Sequence, residues 1–242
     1  MYAAITIDTE PDFPSKEYAG IKELDNFLDK FNEPFTLFIT PDIFQNFPDL
    51  VEKWSKRHEI GLHIHPGYLG YEEDDYLNYY SKEKQKEIIK KGIEIVKETY
   101  DINKLKSFRT GRWAYSSYLP EFLEEFGFTY DSSLYPTVEN NPKLIGNITE
   151  VSPTVWRPFP LWLLYKLHFL EFGGIGLTEG PFKRGYGFML YFTAYRLFYL
   201  KYFVFAFHPY DLLDVNLKNN IEKYINFLLS KRRAIKMSEI EI

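Results

Sequence analysis

The strongest constraint on the fold of this chain is the alternation of short β-rich runs with segments of helical periodicity. Repeated strand–helix units predict a parallel α/β sheet, because each crossover helix packs back onto the sheet. The predicted strands are Ala3–Asp8, Phe35–Thr40, Glu59–His65, Lys106–Arg109, Phe128–Asp131 and Phe203–His208.

Five of these strands bring a charged or titratable residue to their carboxyl ends. The residues are Asp8, His63, Arg109, Asp131 and His208. In parallel α/β folds, ligands and catalytic groups collect at that edge of the sheet. A single residue of this kind is usually a helix cap or a solvated loop residue, whereas the set favours a functional site.

The segments between the strands complete the α/β pattern. Pro48 is well placed to begin a helix, and Ser81 is a candidate N-cap of another. Further helices are predicted around Pro120–Phe126 and Ile221–Leu229. The sequence contains no repeat, low-complexity segment or linker, so we expect a single domain over residues 1–242.

Composition excludes several classes of site. The chain has 242 residues, of which 45% are hydrophobic, so it can bury a full core. Its net charge of −5 argues against a nucleic-acid-binding protein. It has no cysteine, which excludes disulfides and thiolate chemistry, so any metal must be held by His, Asp or Glu.

Two segments of the chain bear on its location. The amino-terminal MYAAITIDTE has neither a basic region nor a long apolar stretch, so we expect no signal peptide and a cytoplasmic protein. The apolar region 188–207 contains Arg196 and Lys201, and it predicts a buried helix followed by a strand better than a membrane span.

Two pairs of residues with i, i+2 spacing could carry chemistry. Asp8 and Glu10 share one face of an extended segment, and so do His63 and His65. Two imidazoles and a carboxylate leave a coordination position open, as in hydrolytic zinc sites. From the spacing alone, a hydrogen-bonded pair of strand histidines is an equal alternative.

Five segments, taken in order, resemble the motifs of the polysaccharide deacetylase family (carbohydrate esterase family 4). They are TIDTE at 6–10, HEIGLHIHP at 58–66, FRTGRW at 108–113, YDSSLYP at 130–136 and FAFHP at 205–209. The resemblance implies a divergent member with a distorted (β/α) barrel. It also implies a metal-dependent hydrolase that removes an N-acyl group, in the first place acetyl, from a sugar.

The resemblance also implies roles at the matching positions. Asp8 matches the catalytic base, Arg109 the arginine that orients it, and His208 the general acid. His63 and His65 match the metal histidines, although the family usually has three residues between them and this chain has one. Thr9 stands where the family has a second aspartate, so Glu10 becomes the third candidate ligand, with zinc as the expected metal.

Three more positions follow from the motifs. Asp131 matches an acidic motif position, where it would orient His208. Trp113 matches an aromatic residue that lines the pocket and whose backbone N–H serves an oxyanion hole, and Tyr135 is a further substrate-binding candidate.

The segment 155–205 is rich in aromatic residues and carries a local positive charge. One interpretation is peripheral contact with the inner membrane face and a lipid-linked sugar substrate; the other, which we favour, is that these residues pack the late half of the barrel. Two alternatives to the sugar deacetylase remain: a C–N hydrolase acting on a small non-sugar amide, and a non-catalytic glycan-binding relative.

Overall fold

The computed structural model describes residues 1–71, 75–135, 142–156, 175–176 and 200–242. Its helices are Ala19–Leu28 (α1), Pro41–Asn46 (α2), Pro48–Ser55 (α3), Lys82–Lys97 (α4), Leu119–Glu125 (α5) and Val215–Leu229 (α6). Its strands are Tyr2–Thr9 (β1), Thr36–Ile39 (β2), Glu59–Ile64 (β3), Ser107–Thr110 (β4), Tyr130–Asp131 (β5), Lys143–Ile145 (β6), Ile148–Glu150 (β7), Val155–Trp156 (β8), Ile175–Gly176 (β9), Tyr202–Phe207 (β10) and Arg233–Ala234 (β11).

One curled sheet organises the described part of the chain. Its strand order is β10–β1–β2–β3–β4–β5–β7–β6, and β11 pairs with the start of β1. All of these pairs are parallel except the β6–β7 hairpin, while β8 and β9 form a separate antiparallel pair. The sheet is the incompletely closed, distorted (β/α) barrel that the sequence predicted.

Side chains alternate between the two faces of each strand, and this alternation separates two cores. In β1, Ile5 and Ile7 pack outward in the large cluster that includes the helices. Ala4 lies on the inner face with Phe38 of β2 and Met237 near the carboxyl terminus. Thr6 and Asp8 have the same parity as Ala4, so they lie inside the barrel.

The predicted elements agree with the structure to within a few residues for the first five strands, β10, α3, α4 and α5, whereas α6 begins at Val215, ahead of the predicted Ile221. The Ser81 cap is confirmed, because its hydroxyl accepts a hydrogen bond from the Lys84 N–H at 3.3 Å. The sequence analysis missed α2 and the β6–β7 hairpin, since elements of three to six residues contain too few periods to recognise.

Two of the predicted segments include residues that the structure does not describe. The helix predicted within 188–207 and most of the aromatic segment 155–205 lie outside the described residues. Among the helices that are described, none is long and apolar enough to cross a membrane.

Candidate active site

Two buried carboxylates stand at the carboxyl end of β1. Asp8 and Glu10 are each only 5% exposed. Strand β1 pairs with β10 on one side and with β2 on the other, so it is an interior strand of the sheet. Buried carboxylates need partners, and the neighbouring strands supply them.

Two histidines at the end of β3 face Glu10. The rings of His63 and His65 lie 4.9 Å apart. Nδ1 of His63 lies 3.0 Å from the Arg109 carbonyl, and Nδ1 of His65 lies 2.9 Å from the Asp75 carboxylate. These partners can only accept, so each Nδ1 carries the proton and each neutral ring keeps its lone pair on Nε2.

Both Nε2 atoms point at the same carboxylate oxygen. They lie 3.7 Å (His63) and 2.9 Å (His65) from Oε2 of Glu10. While His65 is neutral, this oxygen accepts no hydrogen bond from any described group, although it is buried. Electron-rich atoms that face one another need a cation between them.

The donor set fits a divalent metal. The three ligand atoms of Glu10, His63 and His65 lie within 4.8 Å of one another. Two imidazoles and one carboxylate form a set that suits zinc and other first-row divalent metals. Both imidazoles also have the outer hydrogen bond that normally orients a metal-binding histidine.

The protonation of these groups agrees with that assignment. Burial lowers the pKa of His63 to about 4, so this ring is neutral, as a ligand must be. Burial also opposes a charge on His65, but its hydrogen bonds to Asp75 and Glu10 prevail and raise the pKa to about 9. In the metal-free chain a proton on His65 therefore provides the cation that Glu10 requires, and a metal bound there would displace it.

Asp75 and Gly111 hold the His65 ring from two sides. Besides the ring, Asp75 binds the Gly67 N–H at 3.3 Å and Nε of Arg112 at 3.0 Å. Gly111 lies against the ring so closely that a Cβ there would stand 2.3 Å from its Nε2. Arg112 reaches Asp75 from the left-handed region of backbone conformation, with φ of 59°, so the turn after β4 is shaped around His65.

Arg109 completes the site behind Asp8. It is fully buried, and its guanidinium donates to the carboxylate of Asp8, to Oγ1 of Thr6 and to Oγ of Ser132. The guanidinium lies between the rings of Phe38 (4.1 Å) and Trp113 (5.2 Å). Although burial favours a protonated Asp8, Arg109 lowers its pKa below the ordinary value, so the carboxylate is ionised.

His208 approaches the same carboxylates from the end of β10. Its Nε2 lies 3.9 Å from Oδ2 of Asp8 and 3.8 Å from Oε1 of Glu10. On the other side of the ring, Nδ1 lies 3.5 Å from Oδ2 of Asp211, which also accepts the His208 backbone N–H at 3.0 Å. Burial favours the neutral ring, but Asp211 and the two site carboxylates raise the pKa of His208 to about 9.

Comparison with known families assigns the chain to one group. Residues 2–131 match the sequence profile of the polysaccharide deacetylases. The chain belongs to the polysaccharide deacetylase family.

Solved structures have the same fold at low sequence identity. A Mycobacterium smegmatis protein assigned to the polysaccharide deacetylases is 22% identical, with a TM-score of 0.69 and coverage of 98% of this chain and 87% of that one. PuuE allantoinase is 16% identical, with a TM-score of 0.63 and coverage of 96% and 85%. A carbohydrate esterase family 4 pseudoenzyme of Bacillus anthracis is 12% identical, with a TM-score of 0.55 and coverage of 98% and 64%. No curated protein sequence is significantly similar to the chain.

Most of the residues predicted from the deacetylase motifs come together in the structure. Asp8, Arg109 and His208 lie in one cluster with the three candidate ligands, and His65 belongs to it despite the short spacing of the histidines. Trp113 is half-buried against Arg109, and Tyr135 is exposed at the end of a described segment. Their roles toward substrate remain predictions.

Asp131 is not where the motif placed it. Its neighbours Tyr130 and Ser132 point into the barrel, so Asp131 points to the opposite face. There it accepts from Ser133 and faces its cross-strand neighbour Glu150, and its described contacts do not include His208. The carboxylate that faces Nδ1 of His208 belongs instead to Asp211.

Sequence reasoning also missed Asp75 and Ser132. Asp75 stands among tyrosines and other acidic residues, a composition that is typical of a solvated loop. A carboxylate ten residues after a metal-type histidine gives no local signal of contact. For Asp211, in contrast, the sequence did contain a signal. Asp211 stands three residues after His208, with Pro209 between them, and this spacing is typical of a carboxylate that accepts the backbone N–H of the N-cap residue.

Proposed function

We propose that this polysaccharide deacetylase family member is a metal-dependent hydrolase that removes an N-acyl group, in the first place acetyl, from a sugar. The observation that carries the proposal is the convergence of the two Nε2 atoms on Glu10 beside the buried Asp8–Arg109 pair. Family membership supports a deacetylase in general. Asp8, Arg109 and His208 supply a proton acceptor, its counter-ion and a proton donor at one place.

Glu10, His63 and His65 are the residues that would hold the metal. A divalent metal bound there supplies Lewis acidity and lowers the pKa of water, which makes zinc a suitable choice. The remaining groups then act on protons. The protein prepares this site by keeping His63 neutral and by holding the His65 ring in a fixed orientation.

Asp8 acts as the base in this proposal. It is ionised because Arg109 offsets the cost of burial, and it takes the proton of the attacking water. Arg109 holds the carboxylate in place through its further bonds to Thr6 and Ser132. The base therefore has little freedom to turn away from the substrate.

His208 acts as the acid. Its Nε2 faces the site, and its pKa of about 9 keeps a proton on the ring at neutral pH. When the C–N bond breaks, this proton passes to the leaving nitrogen. Asp211 holds the ring through Nδ1, which leaves Nε2 as the atom that donates.

The substrate class rests on the family rather than on a contact in the site. We propose that the sugar belongs to a polysaccharide, a glycan precursor or a lipid-linked sugar. A small non-sugar amide is the second candidate, because PuuE allantoinase has the same fold. The Bacillus anthracis pseudoenzyme makes a non-catalytic relative a third candidate, but a protein that only binds glycans has no use for paired Asp8 and His208.

Metal content and acetate release test the proposal together. We expect the purified chain to bind zinc in about a 1:1 ratio and His63→Ala to lose it. Acetate release from N-acetylglucosamine oligomers should fall about 10²- to 10⁴-fold in Asp8→Asn, which removes the base, while metal content stays unchanged. Metal binding without release from the oligomers, but with hydrolysis of small amides, would favour the second candidate. Absence of metal and of both activities in zinc-, cobalt- and manganese-supplemented buffer would contradict the enzyme proposal.

A further inference from the structure

A second cleft lies at the opposite end of the barrel from the candidate active site. It has a volume of about 320 Å³ and is lined by residues at the amino end of β3, the segment before β4 and the carboxyl-terminal segment. The lining includes Lys104, Lys106, Lys236, Ser55 and Ser238. This volume lies within the range of small-ligand pockets.

Three lysines converge on this cleft without acidic partners. Among the described residues, none of the ammonium groups of Lys104, Lys106 and Lys236 forms an ion pair. Lys104 lies 5.6 Å from the centre of the Tyr100 ring, and Lys236 offers only its backbone N–H to Glu239. Elsewhere in the described chain, Lys53, Lys82 and Lys218 each pair with a carboxylate.

The carboxylate that lines the cleft cannot neutralise them. Glu59 is buried, and its Oε1 accepts from the Ser107 hydroxyl at 2.5 Å. Its Oε2 accepts from the Thr36 hydroxyl at 3.1 Å and from the Ser238 N–H at 3.0 Å. Both oxygens are therefore occupied inside the protein, and burial raises the pKa of Glu59.

The remaining titratable groups leave the cleft positive. Burial, with Arg57 and Lys236 nearby, lowers the pKa of His58 to about 4, so its ring is neutral. Glu52 and Asp101 act on the Tyr100 hydroxyl, next to the Lys104 side of the cleft. In a chain of net charge −5, three lysines whose ammonium groups pair with no described carboxylate therefore line one concave surface.

We infer that this cleft binds a phosphate-bearing ligand, with Lys104, Lys106 and Lys236 around the anion. Ammonium groups are side-chain donors that phosphate oxygens accept from. A phosphate or diphosphate group fits in about 320 Å³ with room for part of a small molecule. The inference does not depend on the proposed deacetylase activity, because the two sites lie at opposite ends of the strands.

Isothermal titration of the full chain with inorganic diphosphate tests the inference. The matched variants are Lys106→Ala/Lys236→Ala in the cleft and Lys22→Ala/Lys223→Ala on exposed helix surfaces, which change the net charge equally. We expect saturable binding to the wild type and to the surface variant. The cleft variant should bind about tenfold more weakly for each ammonium group removed.

Two further measurements complete the test. Urea unfolding of each variant shows whether the cleft variant is folded, and Lys104→Ala alone gives a milder change if it is not. Co-sedimentation with phosphatidylglycerol or phosphatidylcholine vesicles distinguishes the source of the phosphate. Lysine-dependent retention on the anionic vesicles would assign it to a lipid headgroup, whereas diphosphate binding without retention would assign it to a soluble ligand. Equal affinity in all variants, or the same response to sulfate at equal ionic strength, would overturn the inference.

Discussion

Gly111→Ala tests whether the His65 ring must stay where the structure places it. Gly111 does not occupy the left-handed region, so alanine suits its backbone. A Cβ at this position would stand 2.3 Å from Cε1, 2.3 Å from Nε2 and 2.4 Å from Cδ2 of the ring. Carbon atoms pack at about 3.5–4.0 Å, so the ring must move by more than about 1 Å.

The ring cannot make that move and keep its partners. Asp75 and Glu10 hold its two nitrogens at 2.9 Å each, and Tyr68 packs against it with ring centres 5.1 Å apart. Metal–ligand distances tolerate about ±0.2 Å, and loss of the contacts that orient a metal-binding histidine costs about 10–100-fold in metal affinity. We therefore expect Gly111→Ala to weaken zinc binding by up to about 100-fold, or about 2.7 kcal/mol at 1.36 kcal/mol per factor of ten.

Zinc affinity can be measured by competition with a fluorescent chelator, with metal content after dialysis as a second reading. Gly127→Ala is the control. Gly127 has φ of +86° and open space around its Cβ position, so alanine there costs about 1–2 kcal/mol of folding stability from backbone strain with no effect on the metal. Wild-type zinc affinity in Gly111→Ala would show that the His65 ring is free to move or is not a ligand.

Three further changes have expected outcomes. Asp75→Ala removes the partner of His65 Nδ1, so we expect zinc affinity to fall about 10–100-fold and, by NMR titration of the metal-free chain, the pKa of His65 to fall below about 9. Burial raises the pKa of Asp131 from 3.8 to about 6 and also raises that of Glu150. Folding therefore favours the protonated Asp131–Glu150 pair, and the free energy of unfolding falls as pH rises from about 4 to about 6. Glu150→Gln should make the free energy of unfolding depend less on pH, as measured by urea unfolding. Met237→Ala removes a fully buried side chain from the barrel interior and should cost about 2–5 kcal/mol in the same assay.

Each of these expectations can fail. An unchanged pKa of His65 in Asp75→Ala would mean that the carboxylate does not hold the ring. A parallel loss of stability in wild type and Glu150→Gln between about pH 4 and 6 would mean that the Asp131–Glu150 pair does not cause the pH dependence. A cost below about 1 kcal/mol for Met237→Ala would show that the carboxyl-terminal segment is not packed as part of the core.

The elements of the barrel and most of the candidate site could be predicted locally. A strand side chain and its i+2 neighbour share a face whatever the strand pairs with, so Asp8 with Glu10 and His63 with His65 were recognisable as pairs. Parallel strands bring their carboxyl ends to one edge, so the positions of Arg109 and His208 at two further strand ends were enough to predict that they lie near these pairs.

Asp131 shows where local reasoning ends. Strand β5 has two residues, which is too short for its own pattern to show which face is buried. Its register against β4 turns Ser132, and not Asp131, toward Arg109. A shift of the register by one residue moves every side chain of a strand to the other face, and the motif alone does not specify that register.

The residue types at the strand ends could be read from the chain, because periodicity and the absence of cysteine are local properties. Their protonation and orientation depend on contacts that form only when the chain folds. The carbonyl of Arg109 and the carboxylate of Asp75 select the histidine tautomers, and Arg109 keeps Asp8 ionised. These contacts join residues from separate elements, and their strength depends on burial, which no local stretch of sequence encodes.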